Sequence, residues 1–117
     1  MSNTSGVNKI FLIGSVETTP KRRTGNDGSQ RIHFTLSTKE PVKKGGQHIE
    51  HIEMHQLFID CHHPDLHAIE LLKGTTLHIT GKIQTRVITE GDGVKQYKTE
   101  IMVQQLTMLN LPVEISI

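Results

Sequence analysis

An all-β fold is predicted by three features of the sequence. Apolar and polar residues alternate over several segments, as in strands with one buried face. Clusters of Gly, Pro, Asn and Asp separate these segments, and only one stretch has apolar residues at helical spacing. The predicted order of three strands, one short helix and two strands is that of the OB-fold, a five-stranded Greek-key barrel with a helix between its third and fourth strands.

The first three strands are predicted in the N-terminal half of the chain. Residues 7–16 include four consecutive apolar residues and are predicted to form a strand buried on both faces. Residues 31–38 alternate, with Ile32, Phe34 and Leu36 predicted to share one face, and residues 49–60 form the third strand candidate. The segments between them, residues 18–30 and 40–47, are rich in turn-forming and basic residues and are predicted to be two basic loops.

The one predicted helix follows the third strand. Pro64 suits a first helical turn, His63 or Asp65 would cap it, and Gly74 stands where a helix would end. Its apolar stripe consists of Leu66, Ile69 and Leu72.

Two further strands are predicted after the helix. Residues 76–86 alternate, and a turn at residues 91–93 connects them to residues 95–109. The positions expected to point inward on the first of these strands are Leu77, Ile79, Gly81 and Ile83. On the last strand, Tyr97, Thr99, Ile101 and Val103 are expected to share a face. Gln104 and Gln105 interrupt the alternation and predict a β-bulge, and Gly14 and Gly81 would allow sharp bends in their strands.

The composition suits one domain over residues 1–117, with a flexible N-terminus at residues 1–6 and a C-terminal extension at residues 110–117. The formal net charge of +1 neither requires nor excludes a nucleic-acid partner. Cys61 is the single cysteine, so no intrachain disulfide is possible, and it is expected to be a half-buried apolar residue. The sequence has no signal-peptide pattern and no apolar run near the roughly 20 residues of a membrane-spanning helix. We therefore expect a cytoplasmic protein without a membrane partner.

Several segments resemble the bacterial single-stranded-DNA-binding protein family. The most specific are ITGKIQTR at residues 79–86 and YKTE at residues 97–100. Weaker matches occur in order from residue 7 to residue 109, at residues 6–10, 12–14, 53–55, 71–74 and 105–109. The resemblance implies single-stranded DNA binding with weak sequence preference, in DNA replication, recombination or repair, with replication or repair proteins as possible partners. It also implies a homo-oligomer, usually a tetramer, although the primosomal relatives are dimers.

The resemblance also marks two departures from the family. Family members stack bases on aromatic residues at four positions, which correspond here to Val42, Met54, Asp60 and Ile88. Stacking contributes roughly 1–3 kcal/mol per base, so its loss would weaken binding considerably. Met54 and Ile88 still offer apolar contact, whereas the charge of Asp60 would repel a phosphate. Family members usually end in a linker with an acidic tip, whereas residues 110–117 are largely apolar.

Basic residues therefore make up most of the predicted nucleic-acid-binding site, because cations along a groove neutralise phosphates. These are Lys21, Arg22, Arg23, Lys39, Lys43, Lys44, Lys82, Arg86, Lys95 and Lys98. Met54, Phe58, Ile88 and Tyr97 complete the predicted site. The alternative is that the charges are ordinary solvated loop residues. Tyr97 favours a core or interface position over base stacking, Phe11 and Phe34 are expected in the core, and the direction of Phe58 stays open.

Two other functions have weaker support in the sequence. His51, Glu53 and His55 share a strand face, and a second donor cluster comprises Cys61, His62, His63 and His67, but neither has a recognised zinc spacing. No nucleotide-binding loop or catalytic motif occurs, so neither an enzyme nor a cofactor or metal is predicted. The remaining alternative is an OB-fold assembly module with weak or lost DNA affinity, which Asp60, the near-neutral charge and the apolar C-terminal residues favour.

Overall fold

Six strands form one continuous sheet. The computed structural model describes residues 5–25 and 27–110, so most of the predicted N-terminal flexible segment and C-terminal extension lies outside the described residues. The strands are β1 Ile10–Val16, β2 Lys21–Thr24, β3 Gln30–Lys44, β4 Gln47–Asp60, β5 Thr76–Thr89 and β6 Lys95–Asn110. Their order is β1-β5-β6-β4-β3-β2, with an additional pairing between β1 and β3.

The β1–β3 pairing closes five of the strands into a barrel and leaves β2 as an extra strand on the edge of β3. All but one of the strand pairs are antiparallel, and β4 and β6 run parallel where Leu57 meets Ile101. Five closed strands in this order form the OB barrel, which confirms the predicted fold class.

Alternate residues of the strands fill the interior of the barrel. The buried apolar core of the described residues comprises Val16, Phe34, Leu36, Leu57, Ile59, Leu77, Ile79, Ile101, Val103 and Leu106. The predicted inward face of β3 and the core position of Phe34 are therefore confirmed. Burying a large apolar side chain contributes about 1.5–3 kcal/mol, so each of these alternating positions favours the folded barrel.

Gly14 and Gly81 lie where neighbouring backbones approach most closely. A Cβ atom on Gly14 would collide with the carbonyl oxygen of Ser37, and one on Gly81 with that of Met102. These positions were expected to allow strand bending, and the contacts show that they are needed for close approach.

The prediction for the first strand was wrong in two respects. β1 begins at Ile10, and it is not buried on both faces. Ile10 and Leu12 pack against the core, but Phe11 is 63% exposed and Ile13 is 53% exposed, so Phe11 is not a core residue. The run of four apolar residues concealed an alternation between the inside and outside of the barrel wall.

Both predicted basic loops are wrong, because each contains strand structure. The basic residues that follow Pro20 form β2, paired with β3. Residues 40–47 continue β3 and β4 into a hairpin whose two-residue turn is Gly45-Gly46, with φ of 60° and 82°. Positive φ at both central residues is the conformation that a tight hairpin requires. These strands lie beyond the core, so they lack the apolar alternation that marks a strand in the sequence.

The predicted helix is a single 3₁₀ turn, Pro64–His67. His63 caps it, since its ring Nδ1 accepts a hydrogen bond of 3.0 Å from the Asp65 backbone N–H. Asp65 instead accepts a 2.9 Å hydrogen bond from the backbone N–H of Leu106 on β6. Leu66 and Ile69 pack against the core, whereas Leu72 is exposed. The described part of the chain contains no helix long and apolar enough to cross a membrane.

The last two strands largely follow the prediction. In the register, Thr80 pairs with Gln105 and Gly81 with Val103, so Gln104 is the extra residue and the predicted bulge is confirmed. The turn is confirmed by the hydrogen bond from the Gly93 N–H to the Glu90 carbonyl. Ile83 lies on the predicted inward side of β5, opposite the core residue Ile101, but it is 43% exposed because the β5–β6 hairpin extends beyond the barrel from this point.

Candidate nucleic-acid interface

The side chains that alternate with the core residues form a continuous surface, which we call the outer face. On β4, Phe58 points outward because Leu57 and Ile59 point into the core. The strand registers place His33 opposite Phe58, and Phe58 beside Met102. The outer face comprises Lys21, Arg23, Arg31, His33, Thr35, Met54, Gln56, Phe58, Asp60, Lys82, Gln84, Arg86, Ile88, Lys98, Glu100 and Met102.

The three consecutive basic residues of β2 are divided between two faces. Lys21 pairs with His33 and Arg23 pairs with Arg31, so both lie on the outer face. Arg22 pairs with Ile32, whose side chain packs against the core. The side chain of Arg22 therefore lies on the other side of β2, where it lines a separate surface cavity that also includes Cys61. The structure therefore brings two of these three predicted site residues to the outer face. Cys61 is half-buried, as expected.

A buried carboxylate joins an arginine and a histidine on the outer face. Glu100 is only 4% exposed. Its Oε1 accepts a 2.8 Å ion-paired hydrogen bond from Arg86 Nε, and its Oε2 lies 3.6 Å from His33 Nδ1. The side chain of Arg86 remains 49% exposed, so it can still reach a ligand.

The electrostatics of His33 show how closely these charges are grouped. Burial lowers the pKa of His33, and the charges of Arg23, Arg86 and Lys98 lower it further, while the Glu100 carboxylate opposes the shift. Cations from β2, β5 and β6 therefore act on one imidazole of β3. This grouping creates a field that favours an anion such as a phosphate.

Phe58 is not an exposed contact residue. Its side chain points outward but is only 4% exposed. The Arg31 Cζ atom lies 4.8 Å from the ring centroid, and the His33 ring stacks against it with centroids 5.7 Å apart and an interplanar angle of 30°. The sequence prediction missed Arg31 and His33 as site residues. The alternation that identified Ile32 as inward also places them outward.

The four positions that correspond to the family's stacking aromatics are spread over the surface. Met54, 55% exposed, lies on β4 opposite Ser37, and Ile88 is half-buried near the end of β5. Val42 lies in the β3–β4 hairpin. Asp60 is exposed at the end of β4, and its Oδ1 accepts a 2.8 Å hydrogen bond from the His62 backbone N–H.

The other predicted basic residues lie on the outer face or on the two hairpins. Lys82 is half-buried opposite Met102 on the outer face, with Lys98 further along β6. Lys95 and Tyr97 alternate with Lys98 and point to the opposite side of the β5–β6 hairpin. Tyr97 is 70% exposed and therefore not a core residue. The β3–β4 hairpin carries Lys39, Lys43 and Lys44, all exposed.

Two of the candidate metal donors, His51 and His55, lie within hydrogen-bond distance of neighbouring side chains. His51 Nε2 lies 2.8 Å from Glu53 Oε1, and His55 Nε2 lies 2.9 Å from Thr38 Oγ1. Within residues 5–25 and 27–110, no group of three His, Cys, Asp or Glu side chains is arranged to hold a metal ion.

A closed five-stranded OB barrel with a cationic outer face is typical of proteins that bind oligonucleotides. The model of the single-strand binding protein family matches residues 7–109, and the chain belongs to this family. The sequence resemblance to the bacterial family is thereby confirmed.

Two known proteins illustrate the relationship. Single-stranded DNA-binding protein 1 of Chlorobaculum tepidum is 34% identical over 106 residues, which cover 89% of this chain and 65% of that protein. The chain therefore spans somewhat less than two-thirds of the length of this relative. A solved structure of a Plasmodium falciparum SSB in complex with ssDNA superposes with a TM-score of 0.77 at 26% sequence identity, covering 93% of this chain and 100% of that chain.

Proposed function

We propose that this chain binds single-stranded DNA on its outer face, with weak sequence preference and without catalysing a reaction. The observation that carries the proposal is the concentration of cations from four strands on that face. Besides the half-buried Lys82, they are Lys21, Arg23, Arg31, Arg86 and Lys98. The names of the relatives support the same ligand. By the same reasoning we place the chain in the cytoplasm, in DNA replication, recombination or repair.

The mechanism is phosphate neutralisation by the grouped cations, with apolar contacts to unpaired bases. Each phosphate neutralised on a single strand contributes about −0.7 to the slope of log K against log salt concentration. Five such contacts give a slope of about −3.5, so affinity falls roughly 100-fold between about 50 and 200 mM salt. Exposed Met54 provides an apolar surface for a base that is not paired within a duplex.

Fluorescence-anisotropy titration of a labelled oligo(dT) of about 35 nucleotides tests the proposal, with the matching duplex as competitor. The expected result is single-strand-selective binding that weakens with salt to the extent given above. Equal affinity for the duplex would contradict the proposed role of unpaired bases. Failure to bind at about 50 mM salt would refute DNA binding itself.

The chain is also proposed to form a homo-oligomer, with a tetramer or a dimer as the expected states. Phe11 and Ile13 support this, since two large apolar side chains lie exposed side by side on one edge of the barrel wall. Analytical ultracentrifugation of the wild type and of a Phe11→Ser/Ile13→Ser variant measures the effect. Dissociation of the variant to monomers is expected, and an unchanged mass would contradict the assignment.

A second function, an assembly module with weak DNA affinity, is favoured by one specific observation. The outer face also contains the carboxylates of Glu100 and Asp60, which reduce its attraction for phosphates. A stable oligomer that binds no oligonucleotide at low salt would select this function over the first.

A further inference from the structure

We propose that the guanidinium group of Arg31, held over the ring of Phe58, is a stacking platform for an unpaired base. The inference rests on the proposed function of the outer face. In this proposal, the Arg31 guanidinium takes over part of the base-stacking role of the aromatic residues that are absent from positions 42, 54, 60 and 88.

Phe58 is almost completely buried. At 4% exposure, the ring has no free face for a base. The side chain that covers it is Arg31, whose Cζ atom lies 4.8 Å from the ring centroid. A base approaching this part of the outer face therefore meets the guanidinium before it meets the ring.

The Arg31 guanidinium that lies over Phe58 has the chemistry of a stacking group. A guanidinium is planar and weakly hydrated, and it stacks well on aromatic rings. Unpaired bases stack on Arg planes as they do on aromatic side chains. A guanidinium that has one side against Phe58 offers its other side to a base, while its N–H groups remain able to donate to phosphate oxygens.

Arg31 and Phe58 border a surface cavity. Arg31 and Phe58 line a cavity of about 480 Å³ together with Asp60, Met102 and Gln104. This volume lies within the range of sites for small organic ligands, so a nucleobase fits. The sulfur of Met102 adds a polarizable apolar surface at the side of the cavity.

Among the described residues, Arg31 is not fixed by a close ion pair with a carboxylate. Asp60 lies directly opposite Arg31 in the register of β3 and β4. Within the described part of the chain, however, the ion pairs within 4.0 Å join other residues, and Arg31 takes part in none of them. The ring of Phe58 orients the Arg31 guanidinium and so acts as a positioning residue, while the carboxylate of Asp27, on the same cavity, attracts its charge from a longer distance.

His33 also packs against the ring of Phe58. Its imidazole stacks against Phe58 at a centroid distance of 5.7 Å, and it is next to the Glu100 carboxylate. The ring of Phe58 is therefore packed between two residues of β3, Arg31 and His33, which limits its freedom to move. A supported guanidinium loses less conformational entropy when a base binds than a free one does.

The test separates stacking from charge with Arg31→Lys, which retains the positive charge and removes the planar group. We expect affinity for oligo(dT) to fall roughly fivefold to tenfold, with the salt slope unchanged. The matched control is Arg22→Lys, because Arg22 lies on the side of β2 that faces away from the outer face. The R22K variant should bind oligo(dT) as the wild type does. Oligonucleotides that contain 2-aminopurine report base stacking directly by fluorescence, and R31K should alter their signal on binding.

A double-mutant cycle tests the role of Phe58. Phe58→Leu should lower affinity to a similar extent in the wild type, and should have little further effect in the R31K background, because it acts through Arg31. Circular dichroism confirms folding of each variant, and Phe58→Met serves as the second variant if Phe58→Leu fails to fold.

The outcomes distinguish this inference from the proposed function. If R31K binds oligo(dT) with the affinity of the wild type, Arg31 is not a stacking platform. The same conclusion follows if R31K loses affinity only together with a change in the slope of log K against log salt concentration. Independent, additive effects of the two substitutions overturn the positioning role of Phe58. Failure of the wild type to bind any oligonucleotide refutes the proposed function, and the platform with it.

Discussion

Two neighbouring arginines of β2 provide the sharpest test of the proposed binding face. Arg23 pairs with Arg31 and lies on the outer face, whereas Arg22 pairs with Ile32 on the other side of the strand. We predict that Arg23→Ala removes about one phosphate contact and so changes the salt slope by about 0.7 out of 3.5. Over a fourfold rise in salt, R23A should therefore lose about 2.5-fold less affinity than the wild type does. Anisotropy titrations with oligo(dT) at four or more salt concentrations measure this difference.

Arg22→Ala is the matched control, because it removes the same charge from the same exposed strand. Its salt slope should equal that of the wild type, and both variants should keep their stability within about 0.5 kcal/mol, as is usual for exposed positions. Equal changes in both variants would show that only net charge matters. A larger effect of R22A would refute the assignment of the outer face.

Three further predictions concern stability and pH. Glu100→Gln removes the anion from the centre of the outer face, so oligo(dT) affinity at low salt should rise, and an unchanged or weaker affinity in titrations would count against the electrostatic argument. The pKa of folded His33 is lowered, so the unfolded chain binds more protons there as the pH falls through about 6.5, and stability decreases in that window. His33→Gln should therefore show a smaller fall in denaturation midpoint between about pH 7 and 5 than the wild type, and an equal fall would exclude His33 as a source of acid sensitivity. Gly14→Ala should lower the free energy of unfolding, measured by urea titration, by about 1–3 kcal/mol or more, because the added Cβ would collide with the Ser37 carbonyl oxygen. Gly6→Ala is the control and should leave the free energy of unfolding unchanged, because the space around Gly6 is open.

The sequence predicted the parts of the fold that surround the core. Apolar alternation located the strands that carry Phe34 and Ile79, because burial on one face imposes a period of two. The bulge at Gln104 was predictable for the same reason, since one extra residue shifts that period. The order of these strands was then sufficient to identify the OB barrel.

The missed elements are those in which burial does not constrain the sequence. β2 is exposed along its whole length, so its basic residues resemble a loop. The β3–β4 hairpin likewise leaves the core, and nothing in its composition shows that it is paired up to Gly45. In β1, by contrast, apolar residues occupy both faces, which concealed that Phe11 is outside.

The candidate site was predicted by residue type but not by geometry. The basic residues were found because they cluster in the sequence, but which of them share a face depends on the strand register. A shift of one residue exchanges faces, as the different positions of Arg22 and Arg23 show. The contact of Glu100 with Arg86 and His33 joins three strands, and local sequence carries no signal for it.

The outer face combines a loss of exposed aromatic rings with a grouping of cations around buried partners. Arg31 covers Phe58, and Arg86 is oriented by Glu100, so both arginines are held in place before a ligand arrives. An oriented cation binds a phosphate with less loss of conformational entropy than a mobile one. Stacking energy depends weakly on salt, whereas phosphate neutralisation depends strongly on it. Under the proposed function, we therefore expect ionic strength to control the binding of single strands to this face more than base identity does.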